Sequence, residues 1–312
     1  MSEEKTGLTG AGILLNALQQ EGVDVLFGYP GGVLLPLYDA LLDSPIRHVL
    51  TRHEQGAVFA ADGYARVSGK VGVCLATSGP GATNVVTGVA NAYLDSIPLV
   101  VMTGQVSTSS LGTDSFQEVD IIGITSPITK HSYLVKDPRE LPRIIKEAFY
   151  IARTGRPGPV LIDLPRDVLA QVNVEPFPSD MKLKGYKVFG RGNNGKIEEV
   201  VKALSESRKP VLYAGGGVVT AGAEGVVRQL TEKANLPVVT TLMGIGSLPF
   251  GHPNLLGMVG MHGTVPANYA VDDCDLLIAV GVRFDDRCDQ RFGSSFCDQS
   301  KSDSYRYRSR GN

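Results

Sequence analysis

Short apolar runs alternate with longer segments of helical periodicity along the first half of the chain. An apolar run of about four to eight residues is typical of a buried strand, and apolar residues three or four apart are typical of a helix. The predicted strands cover residues 23–27, 47–50, 71–76, 97–103 and 160–163, and the predicted helices cover residues 33–42, 55–68, 84–94 and 141–152. Because strands that are separated by helices pair in parallel, we predict a doubly wound α/β domain with a parallel sheet covered on both faces.

The pattern changes between residues 172 and 196, where Pro, Lys, Gly and Asn replace the apolar periodicity. Such a composition is typical of a linker, which we assign to residues 181–196. A second alternating unit follows, with predicted helices at residues 197–204 and 226–234 and predicted strands at residues 211–214, 237–241 and 274–280. We therefore expect an N-terminal domain over residues 1–180, an incomplete second α/β domain over residues 197–287, and an aberrant tail over residues 288–312.

Composition limits the classes of protein that the chain can represent. Of its 312 residues, 43% are hydrophobic and 20% are charged, which suffices for two cores and disfavours global disorder. The net charge of −2 disfavours a nucleic-acid or anionic-membrane partner. The N-terminus has no apolar signal core, and no apolar run reaches the roughly 20 residues of a membrane helix. The four cysteines show no metal-ligand spacing, so we expect no metal site in this chain and a reducing, cytoplasmic location.

Three sequence blocks carry the candidate chemistry: FGYPGG at residues 27–32, TRHEQGAVFAADGYAR at residues 51–66 and ATSGPGATN at residues 76–84. Two of them are glycine-rich and follow predicted strands, where glycine lets the backbone turn sharply and approach a ligand. An ordinary strand–helix turn explains these glycines as well, and the amides of SGPGATN fit either an anion site or a purely structural turn. Glu54, considered alone, is most often a solvated carboxylate that the N-terminus of a helix favours.

Taken together, the three blocks resemble the N-terminal, pyrimidine-binding domain of thiamin diphosphate enzymes, and most closely that of acetolactate synthase large subunits. In that family a carboxylate bonded to the aminopyrimidine ring favours the imino tautomer, whose nitrogen removes the C2 proton of the thiazolium ring. The resemblance implies that Glu54 is this activating carboxylate. It also implies that Gly31 and Gly32 lie beside the reacting centre and bind the cofactor.

Further matches point to the substrate entrance of the family. Phe116 and Gln117 lie in GTDSFQEVDIIG, and Lys130 and His131 form a Lys-His pair. The resemblance implies that all four line the entrance, although a half-buried, hydrogen-bonded imidazole is an equal interpretation of His131. The chain has Ser107 where family members often carry proline after the GQV triplet.

A flavin site is implied by a third set of matches, although the family's carboligation needs no net redox step. Arg156 in RTGRPGPVLIDLPRDV corresponds to an arginine that contacts FAD in the family. The triple glycine of the second unit follows a predicted strand, as in dinucleotide-binding folds, but it is not GxGxxG. The residues that the resemblance assigns to FAD in the second unit are Gly215, Gly216, His262, Arg283 and Asp285.

Two features of the family pattern are missing. Family members bind the diphosphate through Mg²⁺ in a third domain, with a GDG block that this sequence does not contain. The resemblance extends from about residue 8 to residue 287, and the tail then departs from the expected GxRFDDRVTG continuation. One nucleotide inserted near the Arg287 codon restores a family-like sequence through permitted codon choices, so we expect a frameshift; a natural divergent tail is the alternative.

The resemblance implies decarboxylation of pyruvate and carboligation to pyruvate or 2-oxobutanoate, in branched-chain amino acid biosynthesis. It also implies a homodimer or larger assembly, with a regulatory small subunit possible. The alternatives are a pyruvate oxidase, a glyoxylate carboligase or a non-catalytic remnant. RFDDR with HEQGA favours the synthase over the oxidase, and Glu54 opposes the glyoxylate enzyme, which normally lacks it. Without the third domain, we expect the chain itself to be inactive.

Overall fold

The computed structural model describes residues 8–188, 190 and 192–284. These residues form two compact units, which divide between residues 188 and 189. Each unit is built on one parallel sheet with helices, so the predicted α/β class is confirmed. Among the described residues, no helix combines the length and apolar character that crossing a membrane requires.

The sheet of the first unit has six strands in the order β2-β1-β3-β4-β6-β5, and every neighbouring pair is parallel. The strands are β1 (Val25–Gly28), β2 (Arg47–Leu50), β3 (Gly72–Ala76), β4 (Leu99–Gln105), β5 (His131–Leu134) and β6 (Pro159–Pro165). The helices are α1 (Gly10–Gln20), α2 (Leu35–Leu41), α3 (Glu54–Ser68), α4 (Pro80–Asn84), α5 (Val86–Asp95), α6 (Ile121–Thr125), α7 (Leu141–Arg153) and α8 (Arg166–Ala170).

Two apolar cores cover the two faces of this sheet. Successive side chains of a strand point to opposite faces, so Val73 and Leu75 join the core that contains α1 and α7. Cys74 and Ala76 point the other way and join the core that contains α3 and α5. Every residue of β3 is buried, which is why its sequence is a continuous apolar run without alternation.

The second unit has a four-stranded parallel sheet in the order β10-β7-β8-β9. Its strands are β7 (Pro210–Ala214), β8 (Val238–Thr240), β9 (Leu255–Met258) and β10 (Leu276–Val280), and its helices are α9 (Asn194–Glu206), α10 (Gly216–Thr220), α11 (Glu224–Ala234) and α12 (Val265–Asp273). Leu212 and Ala214 pack in one core, and Val211 and Tyr213 pack in another. The same alternation along β7 therefore builds a layer on each face.

Some elements differ from those that the sequence predicted. The predicted helix over residues 84–94 corresponds to α5, and a separate short helix, α4, precedes it because Pro80 starts an earlier turn directly after Gly79, whose φ is 59°. The strand β5 lies in a segment for which we predicted no strand. Helix α9 begins at Asn194, whose neighbour Asn193 caps it, so the helix starts inside the interval assigned to the linker.

Residues 174–186 are held against the first unit, although their composition suggested a linker. The amide of Phe177 donates to the Arg139 carbonyl at 2.9 Å, and the Arg139 guanidinium lies 4.7 Å from the Phe177 ring centroid. The Lys182 amide donates to the carboxylate of Glu147, which is buried, at 2.7 Å. These contacts leave residues 187–193 as the connection that we propose between the units.

Limited trypsin digestion tests this boundary. We expect cleavage after Lys187 or Arg191 to precede cleavage after Lys182, because protease needs an unfolded backbone and the Lys182 amide is hydrogen-bonded. The order of cuts is read by mass spectrometry of early fragments. Glu147→Gln weakens the acceptor of the Lys182 amide and is expected to bring the Lys182 cut forward. Cleavage after Lys182 before any other cut in the parent chain would contradict this boundary.

Candidate active site

The candidate site lies at the carboxyl end of the first sheet. In a parallel sheet, the loops that follow the strands meet at one edge, which is where α/β proteins bind ligands. The loops after β1, β2, β3 and β4 carry, respectively, Gly31, Glu54, Gly79 and Gln117. The fold therefore brings the three sequence blocks and one entrance residue to the same edge.

Glu54 is the first residue of α3 and is only 8% exposed. His53 caps the helix, since its Nδ1 accepts from the Gln55 amide at 3.1 Å. The Nδ2 amide of Asn84, the last residue of α4, donates to Glu54 Oε2 at 2.9 Å. Oε1 takes no hydrogen bond from the described residues, so this buried carboxylate keeps one oxygen available for another donor.

The negative charge of Glu54 acts on its buried neighbours. The pKa of Tyr38 is raised chiefly by burial, and its electrostatic interactions with the neighbouring Cys74 and Glu54 raise it further. The pKa of the Cys74 thiol is raised by burial and by the charge of Glu54. Both groups are therefore neutral near pH 7, and neither competes with Glu54 as a base.

Thr77 lies between two glycines of the site. A Cβ atom on Gly31 would lie 2.2 Å from Thr77 Oγ1, and one on Gly81 would lie 2.6 Å from Thr77 Cγ2 and 3.2 Å from Glu54 Oε1. A Cβ on Gly32 would meet nothing within 4 Å. Close packing thus requires glycine at residues 31 and 81, whereas residue 32 has free space.

Gly31→Ala is expected to destabilise the first unit by about 1–3 kcal/mol, because the new methyl group overlaps Thr77. Gly32→Ala is the matched control, and its expected effect is about 0.5 kcal/mol or less. Urea unfolding of both variants and of the parent chain measures the difference. Equal midpoints for the two variants would show that Thr77 does not constrain residue 31.

Gln117 packs directly on the loop after β3. Gly79 has a φ of 59°, and a Cβ there would lie 2.8 Å from the Gln117 carbonyl oxygen. Gln117 itself has a φ of 60°, an uncommon conformation for a residue with a side chain. The Glu118 carboxylate accepts from the Gly112 and Ser115 amides and so closes the loop that carries this conformation. Phe116 is 88% exposed at the tip of the same loop.

The other two predicted entrance residues lie at the opposite end of the sheet. Lys130 precedes β5 and His131 is its first residue, so both lie at its amino end. The Lys130 ammonium donates to the Thr154 carbonyl at 2.7 Å and to Tyr186 Oη at 3.1 Å, while burial, with a further contribution from Arg156, lowers its pKa to about 8. His131 packs edge-on against Tyr133, and burial lowers its pKa. Within this chain, the structure does not bring these two residues together with Phe116 and Gln117.

Arg156 also lies at the amino end, in the turn before β6. Its Nε donates to Ser96 Oγ at 2.7 Å, and its Nη2 donates to the Tyr93 carbonyl at 3.2 Å. These bonds satisfy the C-terminus of α5, where Ser96 has a φ of 62°. The observed contacts of Arg156 are thus those of a helix-capping residue.

In the second unit, the residues predicted for FAD also gather at the carboxyl end of the sheet. Gly215 and Gly216 follow β7, His262 follows β9 and Arg283 follows β10, whereas Asp285 lies outside the described residues. A Cβ on Gly215 would lie 2.3 Å from the Gly281 carbonyl oxygen, and one on Gly216 would lie 2.8 Å from Met243 Cβ. Packing between loops of the chain therefore already explains why glycine is needed there.

Comparison with known proteins identifies the family. Residues 8–124 match the model of the thiamine pyrophosphate enzyme N-terminal TPP binding domain, and residues 197–301 match that of the thiamine pyrophosphate enzyme central domain. The chain belongs to the thiamine pyrophosphate enzyme family.

Several acetolactate synthases are similar to this chain. One from Arthrospira platensis is 56% identical over 289 residues, which are 90% of this chain and 50% of that protein. A probable large subunit from Methanocaldococcus jannaschii is 54% identical over 283 residues, 90% of this chain and 48% of the relative. The isozyme 3 large subunit of Escherichia coli is 50% identical over 283 residues, 90% of this chain and 49% of the relative. The chain spans about half the length of these relatives and is a homologue of acetolactate synthase large subunits.

The residues around Glu54 fit the pyrimidine end of thiamin diphosphate. The buried hydroxyls of Thr77 and Ser78 have no hydrogen-bond partner among the described residues. Buried hydroxyls are normally satisfied, so these two indicate a polar ligand at this edge. Thr77 Oγ1 lies against Gly31, and Glu54 Oε1 lies against Gly81, so these polar atoms belong to the same group of loops. In the part of the chain that the structure describes, no group of three or more His, Cys, Asp or Glu side chains is arranged to hold a metal ion.

Two residues of the site were missed by reasoning from the sequence. Thr77 and Asn84 both lie in the block ATSGPGATN, which we considered only for its glycines and amides. The sequence signal for Asn84 is only its residue type, since an amide side chain is able to donate to a carboxylate. No local pattern shows that α4 faces the start of α3, because that contact depends on β1 lying between β2 and β3.

Proposed function

We propose that this chain supplies the N-terminal and central parts of an acetolactate synthase. The reaction converts two pyruvate molecules into acetolactate and carbon dioxide, or joins the two-carbon unit to 2-oxobutanoate in branched-chain amino acid biosynthesis. The buried carboxylate of Glu54, with one oxygen on Asn84 and the other available, is the observation that carries the proposal. The identity of 50–56% to acetolactate synthases over about 90% of the chain supports the same assignment.

When bound, thiamin diphosphate supplies the carbon nucleophile that adds to the keto group of pyruvate. Glu54 holds a proton at the aminopyrimidine ring and so favours the tautomer that is able to act as a base. Asn84 fixes the orientation of the carboxylate at 2.9 Å. Thr77 and Ser78 offer hydroxyls to the same ligand, and Gly31 and Gly32 bring the backbone close to it. Phe116 and Gln117 border the space that the second keto acid enters.

A chimera tests the function directly, because the relatives are about twice as long as the aligned region. It joins residues 1–284 of this chain to the segment of the Methanocaldococcus jannaschii relative that follows the equivalent of residue 284. With pyruvate, thiamin diphosphate, Mg²⁺ and FAD, we expect acetolactate without oxygen uptake, and no product from the 312-residue chain alone. Oxygen uptake would support a pyruvate oxidase instead, and an inactive but folded chimera would support a non-catalytic remnant.

We also propose that FAD binds at the carboxyl end of the second sheet, and that Mg²⁺ binds with the diphosphate through a third domain that this sequence does not include. The convergence of Gly215, Gly216, His262 and Arg283 at that edge supports the flavin site, and Arg156 and Asp285 stay candidates by resemblance. Flavin that remains with the chimera through gel filtration and shows bound-flavin absorbance is the expected result. Complete loss of flavin with full acetolactate synthesis would count against this site.

A homodimer or larger assembly is proposed as well, with a regulatory small subunit as a further partner. Apolar side chains are exposed on the elements that border Glu54: Tyr29 is 39% exposed, Leu35 58%, Leu50 59% and Phe59 40%. Exposed apolar side chains that cluster beside a site are typical of an interface. Light scattering of the chimera should give at least twice the monomer mass. A chimera that has full activity as a monomer would contradict the proposed assembly. The same conclusion would follow if dilution lowered the mass of the chimera to that of one chain while it stayed active.

A further inference from the structure

A buried polar network lies beneath the loop that carries Phe116 and Gln117. Asp163, in β6, is 2% exposed, and its neighbours Thr103 and Gln105, in β4, are 0% and 3% exposed. Thr103 Oγ1 donates to Asp163 Oδ1 at 2.7 Å, and Gln105 Nε2 donates to Asp163 Oδ2 at 2.9 Å. No ion pair to Asp163 is found among the described residues, so this carboxyl group is held by neutral donors alone.

Gln105 connects this network to the loop. Its Nε2 has a second hydrogen, which is donated to the Val119 carbonyl at 2.9 Å, and its Oε1 accepts from the Val106 amide at 2.9 Å. Val106 begins the loop and Val119 ends it, so a single side chain is hydrogen-bonded to both ends. Asp163 and Val119 together use both amide hydrogens of Gln105, which fixes the orientation of the amide group.

A second anchor lies outside this network. The Thr108 amide donates to Asp167 Oδ1 at 2.9 Å, and the Thr108 hydroxyl donates to Asp167 Oδ2. This contact restrains the start of the loop. Gln117 lies near the other end of the loop, at Val119, so its position depends on how that end is held. Among the described residues, the bond that links the network to that end is the one between Gln105 and Val119.

We propose that Gln105 is a positioning residue that holds Gln117 against Gly79, and that Asp163 orients Gln105 for this purpose. Gln117 needs such support, because its φ of 60° is unfavourable for a residue with a side chain. If Gln105 no longer donates to the Val119 carbonyl, the loop loses one of the bonds that hold Gln117 over the turn after β3, alongside those of Glu118. The effect of the position of Gln117 on catalysis rests on the proposed function, in which the turn after β3 borders the reacting cofactor.

Hydrogen–deuterium exchange of the 312-residue chain tests the proposal without any cofactor. Gln105→Met keeps the size of the side chain but removes the donor to Val119, and Asp163→Leu removes the group that orients Gln105. A neutral hydrogen bond contributes about 1 kcal/mol, so both variants should exchange the Gly112 and Ser115 amides about five- to tenfold faster. In Asp163→Asn, the side-chain oxygen of the new amide still accepts from Gln105, so the Gly112 and Ser115 amides should exchange at the parental rate.

Thr103→Val is the matched control, because it removes the other hydrogen bond to the same carboxylate, and the Thr103 hydroxyl donates to Asp163 and not to the loop. We expect loop exchange within about twofold of the parent in this variant. The proposal is overturned if Gln105→Met leaves loop exchange unchanged, or if Thr103→Val accelerates it as much as Gln105→Met does. It is also overturned if Gln105→Met accelerates exchange equally in the loop and throughout α7, since that result indicates general destabilisation.

The chimera separates this proposal from the proposed function. Gln105→Met should raise the KM for pyruvate about fivefold or more while the C2 proton exchange of bound thiamin diphosphate, which depends on Glu54, stays at the parental rate. If loop exchange responds as expected but the chimera has no activity, the positioning role stands and the proposed function fails. If the chimera is active and Gln105→Met changes neither KM nor loop exchange, the positioning role fails alone.

Discussion

Replacing Glu54 with Gln is expected to lower acetolactate formation by the chimera roughly a hundredfold to ten-thousandfold, the range that general acid–base groups contribute. Gln has nearly the same shape, and its amide oxygen still accepts from Asn84, so the fold should be preserved. What the variant loses is the proton affinity of the carboxylate at the pyrimidine ring. Initial rates with saturating pyruvate and cofactors measure the effect.

Glu175→Gln is the matched control, because it makes the same chemical change at an exposed position of the first unit. We expect this control to retain the activity of the parent chimera. A Glu54→Gln variant that forms acetolactate at more than about a tenth of the parental rate would show that Glu54 is not the activating group.

Asp163→Asn is expected to change how stability depends on pH. Burial raises the pKa of Asp163 to about 7, against the lowering effect of the bonds from Thr103 and Gln105 and with a further increase from the charge of Asp120. Between pH 4 and pH 7 the unfolded chain therefore releases a proton that the folded chain keeps. The stability of the parent should fall as pH rises through this window, by on the order of 4 kcal/mol in total.

The Asn variant has no proton to release, so it should lose this contribution to the pH dependence. We subtract the unfolding free energy of the parent from that of Asp163→Asn at each pH. This difference should be a few kcal/mol more positive at pH 8 than at pH 5. The measurement is urea unfolding followed by hydrogen exchange in β4, with variant and parent compared at each pH. The control makes the same change at an exposed position of the first unit, Asp43→Asn. Parallel curves for Asp163→Asn and the parent would mean that Asp163 is ionised in the folded chain.

The sequence was sufficient to predict the fold class because the buried strands are unbroken apolar runs between segments of helical periodicity. β3 and β4 are buried at every residue, and α3 begins one residue before the predicted start. β5 was missed because it is a short edge strand, His131–Leu134, with no fully buried residue and no continuous apolar run. Edge strands are specified by their pairing with one neighbour, which local periodicity does not report.

The candidate site was only partly predictable, for a topological reason. Gly31, Glu54 and Gln117 follow β1, β2 and β4, so a parallel sheet alone predicts that they share an edge. Lys130 and His131 were grouped with Phe116 and Gln117 by resemblance, but they precede a strand and lie at the other end of the sheet. Asp163 was read only as the end of a strand. Its pairing with Thr103 follows from the register of β4 and β6, which the sequence does not display.

The C2 proton exchange of bound thiamin diphosphate tests the central claim, that Glu54 activates the cofactor, most directly. This exchange precedes any reaction with pyruvate, so it is independent of the acceptor, of the loop that carries Gln117 and of product release. Quenched-flow deuterium exchange followed by proton NMR compares the parent chimera with its Glu54→Gln and Glu175→Gln variants. The account predicts a rate at least about a hundredfold lower in Glu54→Gln and an unchanged rate in Glu175→Gln. Exchange at the parental rate in Glu54→Gln, with the cofactor shown to be bound, would contradict it.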